Sequence, residues 1–190
     1  VLSVSLGGVS GEKFGWQINF LIMFLFGLII LFGNIVYVPE TIKSKVDKLS
    51  FKKILEGGKS LSKNKIFLYL SVVSSIQAGA FFSMAGFMPY QFKRLGASPS
   101  EFGMWFALTS LGYILGNILN SKLSKKIELE KISLFGCCWS FCAILSMSFC
   151  LIQTLSFPMI LAMACFFYGL GNGLVISNVV VLSLSSVEKV

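Results

Sequence analysis

The sequence predicts an all-α membrane protein of about five transmembrane helices, preceded by the stub of another helix. Two observations carry this. Hydrophobic residues make up 55% of the chain and charged residues 13%, well under the ~25% charged content of a soluble domain. The apolar residues also come in long blocks rather than in the stripe of a surface helix. A third observation, the unequal share of basic residues between loops, orients the blocks across the membrane.

The chain opens on Val1, and Val1 to Leu6 is already apolar with no basic head or cleavage site of a signal peptide. The expectation is a chain that begins mid-protein, with Val1 to Val9 as the end of a helix heading outward. Runs without Asp, Glu, Lys or Arg then cover Phe14 to Pro39, Ile66 to Phe92, Phe102 to Ser121 and Ile132 to Val187. A hydrocarbon core of ~30 Å needs about 20 helical residues, so the first three runs hold one helix each. The fourth holds two, with a turn at Gln153 to Pro158, because Pro suits a helix start and breaks an interior. Helices are required because hydrocarbon cannot satisfy an open backbone.

Loops on one side of the resulting membrane layout carry thirteen of the sixteen Lys and Arg residues. That side is cytoplasmic by the positive-inside bias. The net charge of +8 is explained in the same way, with no nucleic-acid partner. Most of it sits in Pro39 to Lys65, the one long loop and hence the natural domain boundary. There Phe51, Ile54 and Leu55 recur at helical spacing among lysines, Ser50 is placed to cap the turn, and Gly57-Gly58 to stop it. A short helix on the anionic inner leaflet and a soluble tether between two bundles both fit. Further on, Ser98-Pro99-Ser100-Glu101 has the residues of a capping box with Pro at the first helical position.

Inside the spans, Gly112 and Gly116 form a G-x-x-x-G pair suited to close helix approach. Tyr168-Gly169-Leu170-Gly171-Asn172-Gly173 mimics a nucleotide-binding loop, but no strand precedes it. Gly169, Gly171 and Gly173 are therefore read as packing or gating positions. Gln77, Asn117, Asn120, Asn172 and Asn178 are uncharged polar residues at membrane depth, which need partners or water. Two readings stand for them: interhelical hydrogen bonds, or the lining of a polar cavity. Gln77, Asn117 and Asn172, with Phe81 and Phe82, are the cavity candidates, since aromatics and a few polar groups suit drug-sized ligands. The five cysteines lie in the last apolar run, and the chain has no His. They are read as small apolar residues. No nucleophile pair, paired carboxylates or metal cluster can be assembled, so no enzyme activity, cofactor or metal is expected.

Five stretches together resemble the major facilitator superfamily, and within it the bicyclomycin-resistance type of drug:proton antiporter. Leu6-Gly7-Gly8 followed by Phe14-Gly15-Trp16 resembles the end of its fifth helix and the start of its sixth. Pro39-Glu40-Thr41 is similar to the end of the sixth. Phe87-Met88-Pro89-Tyr90 through Leu95-Gly96-Ala97-Ser98-Pro99 to Phe102-Gly103 resembles the seventh-to-eighth connection. Gly116 to Lys126, with Asn120, Lys122, Lys125 and Lys126, resembles the repeated cytoplasmic loop motif. Asn172 to Leu182 is similar to the end of the tenth helix. Val4 stands where the antiporter motif has Pro, and Asn120 where many members have Asp.

The resemblance implies a partial major facilitator fold. Residues 1–38 would end the N-terminal helix bundle, 39–65 would be a basic cytoplasmic linker, and 66–190 would form part of the C-terminal bundle. Gly7 and Gly8 join the packing or gating positions. It implies a fragment of a secondary active transporter in the bacterial inner membrane, lacking its first four and last two helices. The expected activity is proton-coupled multidrug efflux of small amphipathic compounds, with the bilayer, a small-molecule substrate and protons as partners. The proton-coupling carboxylates would lie in the first bundle. A non-transporting split or decayed gene product and a metabolite facilitator are the alternatives.

Overall fold

The computed structural model describes residues 2–39, 50–152 and 157–188. Their secondary structure is entirely helical: α1 (Leu2–Phe14), α2 (Gln17–Tyr37), α3 (Phe51–Leu61), α4 (Lys65–Arg94), α5 (Pro99–Leu123), α6 (Leu129–Ile152) and α7 (Pro158–Glu188). Five of them, α2, α4, α5, α6 and α7, are long and apolar enough to cross a membrane. The all-α membrane fold with five spans and a preceding helix is therefore the observed one. The Glu40-Thr41 pair and the lysines at 43, 45 and 48 lie outside the described residues, as do positions 153–156 of the expected turn.

Helix ends follow the local chemistry. At α5 the capping box is formed: the Ser98 hydroxyl accepts from the Glu101 N–H at 3.2 Å, and the Glu101 carboxylate accepts from the Ser98 N–H at 2.8 Å. Asn64 caps α4, accepting from the Ile66 and Phe67 amides at 3.1 Å each. That helix ends where Gly96 takes φ +81°, a conformation that costs other residues a steric penalty. Pro158 opens α7. Two expectations at α3 need correction. Ser50 stands at its N-cap position but makes no side-chain cap bond. The helix also does not stop at Gly57-Gly58; it continues to Leu61, with Ser62 N–H bonding the Gly58 carbonyl at 2.9 Å. A glycine stop requires the left-handed region, and neither glycine adopts it.

The stub is longer than expected. α1 continues through Glu12 and Lys13, and the turn falls at Gly15, at φ +83°. It folds back on α2, where the Asn19 amide donates to the Gly7 carbonyl at 3.2 Å. None of α2's own residues is buried. α7 is the central helix and packs against α4, α5 and α6, while α1 leans on α5. Tyr168, Leu174 and Val175 of α7 are the most enclosed large side chains together with Met88 and Phe92 of α4. The outward side chains, such as Phe82, Leu134 and Val181, are apolar, as hydrocarbon demands.

Candidate functional site

The interior is organised by glycine. A methyl group added at Gly112 or Gly116 of α5 would overlap the carbonyl oxygen of Phe166 or Leu170 on α7. Added at Gly169 or Gly173 of α7, it would overlap the Thr109 or Tyr113 carbonyl of α5. Two G-x-x-x-G pairs thus interlock backbone to backbone, the contact that lets membrane helices gain dispersion energy without a hydrophobic driving force. Gly171 lies on the opposite face of α7, against Ser140 and the Gly136 carbonyl of α6. Gly112 and Gly116 both lie against the α7 backbone. The sequence groups Gly169, Gly171 and Gly173 as packing or gating positions without pairing Gly169 with Gly173, and it gives no signal for Gly136. Gly8 packs on the Pro99 carbonyl at the start of α5, while Gly7 faces Asn19.

The polar residues form pairs at successive depths along α7. Nearest the C-terminal end of α5, Asn120 and Asn178 exchange amide hydrogen bonds of 3.0 and 2.8 Å. About one turn earlier in α5, the Ser177 hydroxyl donates to the side-chain Oδ1 of Asn117 at 2.7 Å. Further along, the Tyr168 hydroxyl donates to the Gln77 backbone carbonyl at 2.7 Å. Asn172 is 8% exposed, and its Oδ1 has no partner among the described residues. The same holds for the hydroxyls of Thr109 and Ser140.

The cavity candidates are thus divided. Gln77 and Asn172 are enclosed among helices and Asn117 is half-buried, whereas Phe81 packs on the core and Phe82 is 71% exposed beside it. Asn120 is a buried residue of α5, while Lys122, Lys125 and Lys126 are exposed around its end. Tyr168, Thr109 and Ser140 belong to this polar interior and were not foreseen. A hydroxyl in an apolar run gives no periodic signal.

The comparison with known families decides the relationship. The model of the Major Facilitator Superfamily matches residues 1–190. The chain belongs to that superfamily. It is accordingly a multi-pass membrane protein of a transporter family. Among curated proteins, none matches the chain in sequence. The glycine-locked seam between α5 and α7 is flanked by uncharged polar pairs.

Proposed function

We propose that this chain is part of a proton-coupled exporter of small amphipathic, drug-like compounds in the bacterial inner membrane. In this reading, α1 and α2 end one bundle, 39–65 is the cytoplasmic tether, and α4 to α7 belong to the second bundle. The observation that carries the substrate class is the neutrality of the polar interior. Its hydrogen-bonding groups are Gln77, Asn117, Asn120, Thr109, Ser140, Tyr168, Asn172 and Asn178. A strongly charged metabolite would need compensating charge at that depth, whereas an amphipathic compound needs aromatic surface and a few polar groups.

Proton exchange needs a group at membrane depth that titrates near neutrality, a role usually filled by a carboxylate or histidine. In this reading the coupling group is supplied by another part of the transporter. The test is reconstitution of this chain in liposomes with an imposed pH gradient, beside a complete transporter containing it. The complete transporter moves drug with the gradient and this chain alone does not. Alanine at Gln77, Asn117 and Asn172 changes drug resistance in the complete transporter at unchanged membrane levels. Gradient-driven drug movement by the isolated chain, or unchanged resistance in all three variants, overturns the assignment.

A further inference from the structure

α1 grips a single peptide group of α5 from both of its ends. A methyl group added at Gly8 would overlap the Pro99 carbonyl oxygen and crowd the Ser100 Cα, so the two backbones touch there. One turn on along the same face of α1, the Glu12 carboxylate accepts from the N–H of that same Pro99–Ser100 peptide at 3.0 Å. The local chemistry of α5 leaves this N–H to an outside partner. The first N–H groups of a helix have no acceptor one turn earlier. Here the Glu101 N–H goes to the Ser98 hydroxyl and the Phe102 N–H to the Ser98 carbonyl, while Pro99 has none to place. Ser100 is the position that the capping box does not serve, and a carboxylate from another helix takes it.

We infer that Glu12 is a latch residue, which holds α1 on the start of α5 and lets go when the transporter opens on that side of the membrane. The latch rests on the proposed division of the chain, with α1 and α2 in one bundle and α4 to α7 in the other. Across that division, α1 on α5 is the principal packing among the described helices. Asn19 ties α1 to α2, and the interlocked glycines tie α5 to α7, so each side of the contact belongs to a larger unit. Secondary transporters work largely by rocking one such unit against another, and the contacts between units are the ones broken and remade. The latch also sits at one face only. A full span, α2 in one direction along the chain and α4 in the other, separates it from the 39–65 segment. Gly8 sets how close the helices come, and Glu12 adds a bond that a cycle can break. A carboxylate on a helix start shifts a two-state balance by about two- to fivefold, enough to bias the closed form without locking it.

Spin labels on cysteines placed at Lys13 and Lys93, in an otherwise cysteine-free complete transporter, read the distance across the latch by pulsed electron resonance. A short and a long distance are expected, for the closed and open forms. Glu12→Ala should move their ratio about two- to fivefold toward the long one. Glu12→Gln, which keeps an oxygen acceptor but no charge, should move it less. Glu101→Ala is the control, since it removes the cap that α5 makes for itself, and it should leave the ratio unchanged. A single distance in every variant, an unchanged ratio in Glu12→Ala, or an equal shift in Glu101→Ala overturns the latch. Gradient-driven drug movement is measured on the same proteins. The expected shift in a transporter that moves no drug supports the latch and overturns the proposed activity instead.

Discussion

Gly169 has backbone on the far side of the position its side chain would fill, and Gly27 has nothing within 4 Å. The same residue type therefore answers to different physics at the two positions. Gly169→Val should cost about 1–3 kcal/mol by overpacking and lower the thermal stability of the detergent-solubilised chain. Gly27→Ala should leave it unchanged or slightly raised, because alanine is the better helix former by up to ~1 kcal/mol. The Asn120–Asn178 pair makes a second residue-scale expectation. Each amide is buried and bonded to the other; removing Asn178 strands the Asn120 amide, while removing Asn120 strands the Asn178 Oδ1 and leaves its N–H on the Leu174 carbonyl at 3.0 Å. Asn120→Ala and Asn178→Ala should be strongly non-additive, with a coupling of about 0.6–1.7 kcal/mol for a hydrogen bond between membrane helices. A double-mutant cycle on unfolding free energy measures it. The amide pattern was legible as polar residues at membrane depth. That Asn120 would find Asn178, 58 positions away, was not, because no local rule joins them.

At the scale of elements, spans were readable to within a few residues because charge is excluded from hydrocarbon, a constraint independent of tertiary contacts. Ends were readable where a side chain bonds its own backbone, as at Ser98 and Glu101. They were misread at Gly57-Gly58, where the composition matched a stop but the backbone stayed helical. Docking between elements had no such signature. Glu12 of α1 accepts the Ser100 N–H of α5 at 3.0 Å, adding a second carboxylate to a helix start already capped by Glu101. An anion at that end is worth about 0.3–1 kcal/mol. Glu12→Ala should therefore speed hydrogen exchange at the Ser100 amide about two- to fivefold, leaving the Ser98 amide unchanged. Glu101→Ala should act at Ser98. Unchanged exchange at Ser100 in Glu12→Ala would mean that α1 does not rest on α5 in the membrane.

At the scale of the whole molecule, thirteen basic residues in the loops of one face against three on the other predict that the richer face is cytoplasmic. Single cysteines at Lys125 and Lys93 in a cysteine-free chain test it in intact cells. An impermeant maleimide should label position 93 and leave 125 until the cells are broken. The reverse pattern would invert the layout. Class and span number come from the one-dimensional pattern of charge, since each helix must meet the membrane before it meets a neighbour. Which helix is central is another matter. α4, α6 and α7 all read as long apolar runs, yet α7 alone holds Gly169 and Gly173 on one face and Gly171 on the opposite one. That lets backbones approach it from two sides. The choice depends on complementary surfaces on α5 and α6, and complementarity is a property of pairs of helices, visible only once they are packed.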